Sequence, residues 1–466
     1  MPASVDPATG LAIQTYPETS AAEIDRRLTA AVAAQSSWGR LPVERRLEPF
    51  LRLAAILIRD RDALAALAVH EMGKPIAQAE SEIEKCARCC AWMAEHAGTI
   101  LNPQPVATEA HASYVRFDPL GIVLAVMPWN FPFWQVIRAA VPALAAGNGV
   151  VLKHASNVPG AALALERAFA DAGFPAGLFA TLLIPGAAAE ALIDDPRIAA
   201  VTLTGSEPAG RAIAARAGAA LKKAVLELGG SDPFLVLADA DLDHAVREAV
   251  RARLQNNGQS CIAAKRFIVE QPIADAFEHA FADAMSRVVV GDPIDRTTEV
   301  GPLARADLVD ALDRQVQESV AAGAALATGG KRIARPGYFY APTVLTQVSP
   351  GMAAFDEETF GPLATVTRAH DAEHALALAN QSGFGLGASV WTGNPQRGEA
   401  LAARIEAGSV FVNGMVRSDP RLPFGGVKRS GYGRELSAFG IREFVNVKTV
   451  WVEATAPVAG PGPGVE

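Results

Sequence analysis

The pattern of apolar and polar positions along this 466-residue chain changes character near Pro119. Before that point apolar residues recur at helical spacing, and Ser20 with Glu23 matches a capping box ahead of an alanine-rich segment that ends near Ser37. A further stretch of helical spacing continues to Gly73. The first hundred residues are therefore predicted to be mainly helical.

After Pro119, short continuous apolar runs alternate with amphipathic segments. The runs are "GIVLAVMP", "GVVLK", "ATLLIP", "AAVTLTGS" and "KAVLELGG". Such alternation is typical of a parallel sheet covered by helices, so we predict an α/β fold with a doubly wound, Rossmann-like domain. Ligands of such sheets lie beyond the carboxyl ends of the strands. Asn130, Lys153, Gly205 and Glu227 each follow such a run and should gather along one edge.

A second α/β region is predicted over residues 230–428. Its first helix should begin near Asp241 and stop at Asn257, with Cys261 just beyond the stop. The end of the chain is rich in Pro and Gly, and disorder is predicted over 457–466.

Composition narrows the range of functions. Half of the residues are hydrophobic, the formal net charge is -8 and the pI is about 5.6. These values predict a large core in two or three domains and argue against a nucleic-acid partner or a basic membrane-binding patch. The apolar stretch 121–137 contains Pro128, Asn130 and Pro132, so we interpret it as strand, turn and helix rather than a membrane span. A small-molecule substrate is the favoured partner.

Four cysteines are too few for a disulfide scaffold in a chain of this length, and the N-terminus shows no apolar signal core. A cytoplasmic location is therefore expected. Cys86, Cys89 and Cys90 share one face of a predicted helix, but a closed metal site needs about four ligands. We interpret them as cysteines on a packed helix and predict no metal site.

Four polar residues carry the candidate chemistry: Asn130 in "VMPWNFP", Glu227 in "LELGG", Cys261 in "NNGQSC" and Glu358 in "DEETFGP". A thiol, a carboxylate base, an amide donor and a second carboxylate supply most parts of a covalent aldehyde oxidation. The thiolate attacks the carbonyl, a hydride leaves for a nicotinamide, and activated water cleaves the thioester. Taken singly, Cys261 is also consistent with an inert buried cysteine, Glu227 with a structural strand-end group and Asn130 with a turn residue.

The segment "VTLTGSEPAGR" passes from strand to helix through Gly205 and Ser206. A helix N-terminus with small residues can hold a pyrophosphate. The segment is not a GxGxxG fingerprint, and its glycines are also consistent with a purely geometric role.

The motifs "PWNFP", "ELGG", "GQSC", "EETFGP" and "PFGGVKRSGYGRE", in this order, resemble the NAD(P)-dependent aldehyde dehydrogenase superfamily over roughly Thr15 to Val452. The resemblance implies Cys261 as nucleophile, Glu227 as general base and Asn130 as oxyanion donor. It also implies cofactor contacts from a longer set: Trp129, Lys153, Ser156, Gly205, Ser206, Leu228, Glu358 and Phe360.

The same resemblance implies a division into domains and a quaternary structure. A dinucleotide-binding domain would comprise 1–100 and 120–229, and a catalytic domain would comprise 230–428. A small β bridging element would comprise 101–119 and 445–456. Homodimers or homotetramers are implied.

Ser156 bears on the choice of cofactor. Family members with a strong preference for NAD often carry Glu at this position, and that carboxylate repels a 2′-phosphate. Ser156 removes the repulsion, and Lys153 lies close enough in sequence to attract the phosphate. We expect NAD(P) as cofactor with NADP accepted, and we leave open whether NADP is preferred.

Longer segments, including "VLKHASNVPG" and "LELGGSDPF", resemble bacterial succinate-semialdehyde dehydrogenases, which implies oxidation of succinate semialdehyde to succinate. Arg138 shares a face with Trp134 on a helix expected to open at Pro132, and its guanidinium could bind the substrate carboxylate. The alternative is that Arg138 pairs with a structural acid or a neighbouring subunit.

A second substrate-binding position departs from that resemblance. Such dehydrogenases often have a second Arg six positions before the nucleophile, where this chain has Gln255. Ser418, Arg417 or Arg421 could contribute instead.

Other functions stay open from the sequence. Another short semialdehyde or an aromatic aldehyde could be the substrate. A CoA-acylating dehydrogenase would use a thiol in place of water, which Glu227 argues against. A cysteine hydrolase or acyltransferase would need a His beside Cys261, and a non-enzymatic relative of the lens type would not need the retained catalytic set.

Overall fold

The structure is a computed structural model that describes residues 1–454. The first hundred residues are mainly helical, as predicted, with two short strands ahead of the helices that the sequence did not indicate. These elements are β1 (Ala3–Val5), β2 (Ala12–Thr15), α1 (Ala21–Trp38), α2 (Val43–Arg59), α3 (Arg61–Met72) and α4 (Ile76–Leu101).

Local sequence explains where these helices begin and end. The Ser20 side chain accepts a hydrogen bond from the Glu23 amide, which satisfies one free N–H at the start of α1. The helical spacing up to Gly73 contains two helices rather than one, because the chain breaks at Asp60. Gly73 ends α3 with a φ of 76°, a conformation that glycine adopts without steric cost.

The middle of the chain alternates strands and helices, as the apolar runs predict. Its elements are β3 (Gln104–Pro105), β4 (Ala112–Pro119), β5 (Ile122–Met127), α5 (Trp134–Ala145), β6 (Gly149–His154), α6 (Pro159–Asp171), β7 (Phe179–Thr181), α7 (Gly186–Leu192), β8 (Ile198–Thr204), α8 (Glu207–Ala219) and β9 (Lys223–Glu227). The strand, turn and helix interpretation of 121–137 is confirmed, although α5 begins two residues after Pro132.

The second α/β region follows directly. Its elements are β10 (Pro233–Val236), α9 (Leu242–Leu254), β11 (Arg266–Glu270), α10 (Gln271–Ser286), α11 (Ala306–Ala321), β12 (Ala325–Thr328), β13 (Thr343–Thr346), α12 (Ala353–Asp356), β14 (Leu363–Ala369), α13 (Ala372–Asn380), β15 (Phe384–Gly385), β16 (Gly387–Trp391), α14 (Pro395–Ala402) and β17 (Ser409–Val412). The chain ends with β18 (Val427–Lys428), β19 (Gly431–Tyr432), α15 (Ser437–Ile441) and β20 (Val445–Val452).

Two large sheets organise these elements. A six-stranded sheet has the order β19-β9-β8-β5-β6-β7 and is parallel except for β19. A seven-stranded sheet has the order β12-β13-β14-β11-β10-β16-β17 and is parallel except for β12. The predicted α/β, doubly wound fold class is confirmed.

A smaller antiparallel sheet, in the order β20-β4-β3, connects the end of the chain to the segment after α4. The strands of the six-stranded sheet other than β19 lie within 120–229, and the seven-stranded sheet lies within 230–428. The division of the chain into domains stays a prediction, and the tail predicted to be disordered, 457–466, lies outside the described residues.

Strand register brings the candidate residues to one edge of the six-stranded sheet. Thr204 at the end of β8 pairs with Glu227 at the end of β9. Gly431 of β19 pairs with Glu227 from the other side, which places the C-terminal segment beside this carboxylate.

Helix α5 lies beneath this edge, and all of its residues are buried. It packs against α4 and against β5 and β6. A helix buried on all sides lies inside a core, and its polar side chains Gln135 and Arg138 are buried with it. In the part of the chain that the structure describes, no helix is long and apolar enough to cross a membrane.

Candidate active site

Cys261 lies just beyond the end of α9, where a 3-10 turn over Gln255–Gly258 changes the direction of the chain. Asn256 and Asn257 have φ values of 58° and 59°, which Asn adopts more readily than most residues. The Asn256 side-chain amide donates to the carbonyl oxygen of Asn130 at 2.7 Å. This bond joins the loop that carries Cys261 to the loop that carries Asn130.

A buried lysine holds the other side of the Cys261 loop. Lys265 Nζ donates to the carbonyl oxygens of Ser260, Cys261 and Ala263 at 3.1, 2.9 and 3.1 Å. These three bonds fix the backbone around the thiol, so the loop is rigid without a regular helix.

The Cys261 thiol is partly exposed, but protein atoms enclose most of it. Burial raises its pKa to about 12, and the nearby cations Arg138 and Lys265 counteract only part of this effect. The thiol is therefore protonated at neutral pH in this structure, and a nucleophilic role requires removal of its proton when substrate reacts.

Glu227 ends β9 and is 2% exposed. Burial raises the pKa of this carboxyl well above its usual value, and the neighbouring carboxylate of Glu435 adds to the rise. Neither Glu227 oxygen has a hydrogen-bond partner within residues 1–454. A buried carboxyl with a raised pKa and free lone pairs is suited to accept a proton from water.

Glu435 is a member of this cluster that the sequence reasoning missed. It lies in a buried ion pair with Arg138, and the Arg138 guanidinium also lies 4.5 Å from the centroid of the Phe424 ring. The signal was present in the sequence as the end of "PFGGVKRSGYGRE", but only the pairing of β19 with β9 shows that this Glu lies near Glu227.

A cavity of about 260 Å³ adjoins Cys261. Of the predicted site residues, Cys261, Asn130, Trp129, Gly205, Ser206, Leu228, Glu358 and Phe360 line it. Gln135, Thr204, Gly229, Arg305 and Leu308 are among its other lining residues. The structure therefore brings together most of a set that is scattered over more than two hundred positions of the sequence.

Three of the predicted catalytic and cofactor-binding residues do not line this cavity. Glu227 is buried behind it, whereas Lys153 near the end of β6 is half-buried and Ser156 just after β6 is exposed. Burial lowers the pKa of Lys153. Lys153 forms no ion pair with any residue in 1–454, so its charge is available to an anion.

Two glycines allow the segments around the cavity to approach one another closely. A Cβ on Gly230 would lie 2.4 Å from the Cys261 carbonyl oxygen, and one on Gly229 would lie 2.4 Å from Glu358 Oε2. Glu358 Oε1 accepts a hydrogen bond from the Gly230 amide at 3.0 Å. The "LELGG" motif thus lets the strand end, the thiol loop and the second carboxylate approach one another closely.

The cavity residues fit a dinucleotide. Ser206 directly precedes α8, and its side chain makes no capping bond, so the first amides of the helix remain free. A Cβ on Gly210 would lie 2.5 Å from Leu228, so glycine permits close packing of α8 against the strand end. Trp129 and Phe360 meet edge to face at 5.7 Å between ring centroids, and Arg305, which the sequence reasoning missed, lies over Trp129.

Two of the three predicted substrate residues, Gln255 and Ser418, lie at a second cavity, which Phe131 borders. This second cavity, of about 470 Å³, is lined by Gln78, Ser81, Glu82, Lys85, Phe131, Trp134, Val250, Arg251, Leu254, Gln255, Glu299 and Met415. Ser418 adjoins it by accepting hydrogen bonds from Lys85 Nζ at 2.7 Å and Trp134 Nε1 at 3.2 Å. Gln255 is in this lining, and Lys85 is a residue that the sequence reasoning missed.

Arg138 is placed differently from the other substrate residues. It is 2% exposed, pairs with Glu435, and lines neither cavity. This arrangement corresponds to the alternative in which Arg138 pairs with a structural acid, and its contact with substrate stays a prediction. Arg421 is exposed and pairs with Asp419 at 2.7 Å.

The three helix cysteines are fully buried on α4. Burial raises the pKa of the Cys89 thiol to about 12 and raises the pKa values of Cys86 and Cys90 well above the usual value, so all three are thiols at neutral pH. Within residues 1–454 no group of His, Cys, Asp and Glu is arranged to hold a metal ion. The buried acid Glu71 on α3 accepts hydrogen bonds from the Ser4 hydroxyl and from the first amides of α6.

Comparison with known proteins identifies the class. The model of the aldehyde dehydrogenase family matches residues 2–450. The chain belongs to the aldehyde dehydrogenase family, and the predicted resemblance is confirmed.

Several relatives are similar over nearly the whole chain. A protein of Mycobacterium tuberculosis named succinate-semialdehyde dehydrogenase, NADP(+), is 50% identical over 453 residues, or 97% of this chain and 99% of the relative. An Escherichia coli protein named succinate semialdehyde dehydrogenase, NAD(P)+, is 49% identical over 448 residues, or 96% and 97%. The crystal structure of a succinic semialdehyde dehydrogenase from Streptococcus pyogenes in complex with NADP+ has a TM-score of 0.95 at 35% identity, covering 97% of this chain and 100% of the other.

Proposed function

We propose that the protein oxidises succinate semialdehyde to succinate with NAD(P)+ through a thioester on Cys261. The observation that carries this proposal is the cavity that joins Cys261 and Asn130 to Glu358 and Phe360, with Glu227 at the neighbouring strand end. The names of relatives about 50% identical over the full chain support the choice of aldehyde.

In the first step the Cys261 thiolate attacks the aldehyde carbon. The thiol proton passes to solvent water as the carbon–sulfur bond forms, and the carbonyl oxygen becomes an oxyanion. Asn130 Nδ2 donates one N–H to the Gln259 carbonyl at 3.1 Å, and its second N–H is available to the oxyanion. The backbone amide of Cys261 is the second donor.

A bound NAD(P)+ supplies the hydride acceptor that converts the hemithioacetal carbon to the oxidation level of an acid. Glu227 then takes a proton from a water molecule, whose oxygen attacks the thioester carbon. The carbon–sulfur bond breaks, succinate leaves, and the thiol is restored.

We also propose that NADP+ is accepted. Lys153 has no ion-pair partner among residues 1–454, and Ser156 places a hydroxyl rather than a carboxylate beside it. A 2′-phosphate here would gain a cation and meet no repelling acid. The name of the M. tuberculosis relative gives NADP(+) as cofactor, and the name of the E. coli relative gives NAD(P)+.

The test is a steady-state assay of succinate semialdehyde, glutarate semialdehyde, butanal and an aromatic aldehyde with both nicotinamides. We expect the highest kcat/KM for succinate semialdehyde, and activity with NADP+ within a thousandfold of that with NAD+. Cys261→Ser should lower turnover by at least about a thousandfold, because the serine alcohol is a far poorer nucleophile. A serine variant as fast as the parent would contradict the mechanism.

Assembly as a homodimer or homotetramer and a cytoplasmic location belong to the same proposal. On β20, Val447 is 60% exposed and Trp451 is 43% exposed, and β20 is an edge strand of the small antiparallel sheet. An exposed apolar edge strand favours pairing with a second copy. Light scattering after size-exclusion chromatography tests the assembly, and a monomer would contradict it.

A further inference from the structure

Lys85 is a partly buried cation without a carboxylate partner in the described residues. It lies on α4 in the lining of the second cavity and forms no ion pair with any residue from 1 to 454. Glu82, three residues before Lys85 on the same helix, is already engaged by the Lys74 ammonium and by the amides of Phe133 and Trp134 at 2.9 Å. A desolvated charge that lacks a counter-ion is costly, so this site favours an anion.

The groups around Lys85 offer donors. Ser418 Oγ accepts hydrogen bonds from Lys85 Nζ and from Trp134 Nε1, so its own O–H is left to donate. Lys85 Nζ also lies 4.3 Å from the centroid of the Trp134 ring, which fixes its position. An ionised carboxylate only accepts hydrogen bonds, so it matches a site of an ammonium and a free hydroxyl.

The position relative to the thiol suits a short substrate. Asn130 lines the Cys261 cavity, and its neighbour in sequence, Phe131, lines the Lys85 cavity. The Lys85 cavity also contains Gln255, six residues before Cys261. A four-carbon semialdehyde places its carboxylate about 4 Å from its aldehyde carbon. With its aldehyde at Cys261, its carboxylate therefore stays close to the Asn130–Phe131 segment that borders both cavities.

We propose that Lys85 binds the substrate carboxylate, with the Ser418 hydroxyl beside it, and so sets the preference for an aldehyde that carries an anionic group. This inference rests on the proposed oxidation of succinate semialdehyde. The cation that binds the carboxylate is thus Lys85 on α4, whereas the sequence analysis expected it to be Arg138 on α5.

The test compares Lys85→Met, Lys85→Gln and Lys85→Arg with the parent. Arg88→Met is the matched control, because Arg88 is a cation on the same helix that is exposed away from the cavity. The measured quantity is the ratio of kcat/KM for succinate semialdehyde to kcat/KM for butanal. Binding of succinate, measured by calorimetry, provides a readout that does not depend on turnover.

We expect Lys85→Met and Lys85→Gln to lower the ratio by about 10- to 100-fold, mainly through KM for the semialdehyde, and to weaken succinate binding similarly. Lys85→Arg should recover part of the loss, and Arg88→Met should leave the ratio unchanged. A ratio that stays within about twofold of the parent in both neutral variants, with the parent active on succinate semialdehyde, overturns this inference alone. A parent that does not oxidise succinate semialdehyde overturns the proposed function as well.

Discussion

Two cations, one buried and one partly buried, lie near each other in this molecule and have opposite surroundings. Arg138 on α5 is paired with Glu435, beside Glu227 and the thiol loop, and it has no place in either cavity lining. Lys85 on α4 has a serine hydroxyl, an indole ring and a cavity beside it. A charge matched within the protein supports the structure around it, whereas a charge without an internal partner is available to a ligand.

The Arg138 region also differs from the Lys85 region in its buried carboxyl groups. Glu227 and Glu435 are two buried carboxyls with raised pKa values, and Arg138 is the cation that offsets them. The Arg138 region is therefore proposed to handle protons, and the Lys85 region is proposed to hold the substrate. The predictions below test this division.

Glu227→Gln should have the largest effect. Glutamine cannot take a proton from water, so steady-state turnover should fall by about 100- to 10,000-fold. Attack by Cys261 and hydride loss precede the water step, so a burst of one equivalent of reduced nicotinamide per active site should remain in stopped-flow absorbance. Loss of the burst together with turnover would show that Glu227 acts before the thioester forms.

Replacing Arg138 and replacing Lys85 should have different effects on the stability of the protein. Arg138→Met leaves Glu435 buried without its partner, so the free energy of unfolding should fall by about 3–5 kcal/mol in a denaturant titration at neutral pH. Lys85→Met removes a charge that has no acid partner, so this variant should be at least as stable as the parent.

The stability difference should also depend on pH. Burial lowers the pKa of Lys85 to about 8 in the folded protein, whereas the unfolded value is 10.5. The cost of its charge is therefore complete below about pH 8 and disappears as the pH rises to 10.5. The advantage of Lys85→Met should shrink across that window. An equal loss of stability in both variants would contradict the comparison.

The smallest expected effect is on the pH dependence of kcat/KM, which should differ between a charged and an uncharged aldehyde. The pKa of the Cys261 thiol is raised to about 12, so kcat/KM for butanal should rise steadily between about pH 6 and pH 10. For succinate semialdehyde the rise should be cut off above about pH 8, where Lys85 loses its charge. Parallel profiles for the two aldehydes would contradict a role for the Lys85 charge.

The titration of Lys85 depends on several neighbours. Burial lowers its pKa, and the Arg138 charge adds to this effect, whereas Cys86, Cys89 and Glu82 act in the opposite direction. Arg251 and Glu299 face it from other elements of the cavity lining. In Arg138→Lys, which keeps a cation beside Glu435, the cut-off for succinate semialdehyde should therefore stay close to pH 8.

The sequence by itself determined the parallel sheets, because apolar runs of strand length alternate with helical segments. It also predicted a candidate catalytic set, since Asn130, Glu227 and Cys261 stand in short motifs with Gly and Pro residues. The sequence did not predict the break at Asp60 or the strands β1 and β2, because short or exposed elements leave a weak periodic signal.

Only the tertiary structure decided how charges are paired. Arg138 meets Glu435 because β19 returns to pair with β9, and Lys85 reaches Ser418 because the C-terminal segment passes beside α4. These contacts join residues about three hundred positions apart, and periodicity carries no information about such distances. Burial then sets the charge of each group through desolvation, which depends on the whole surrounding fold rather than on neighbours in the chain.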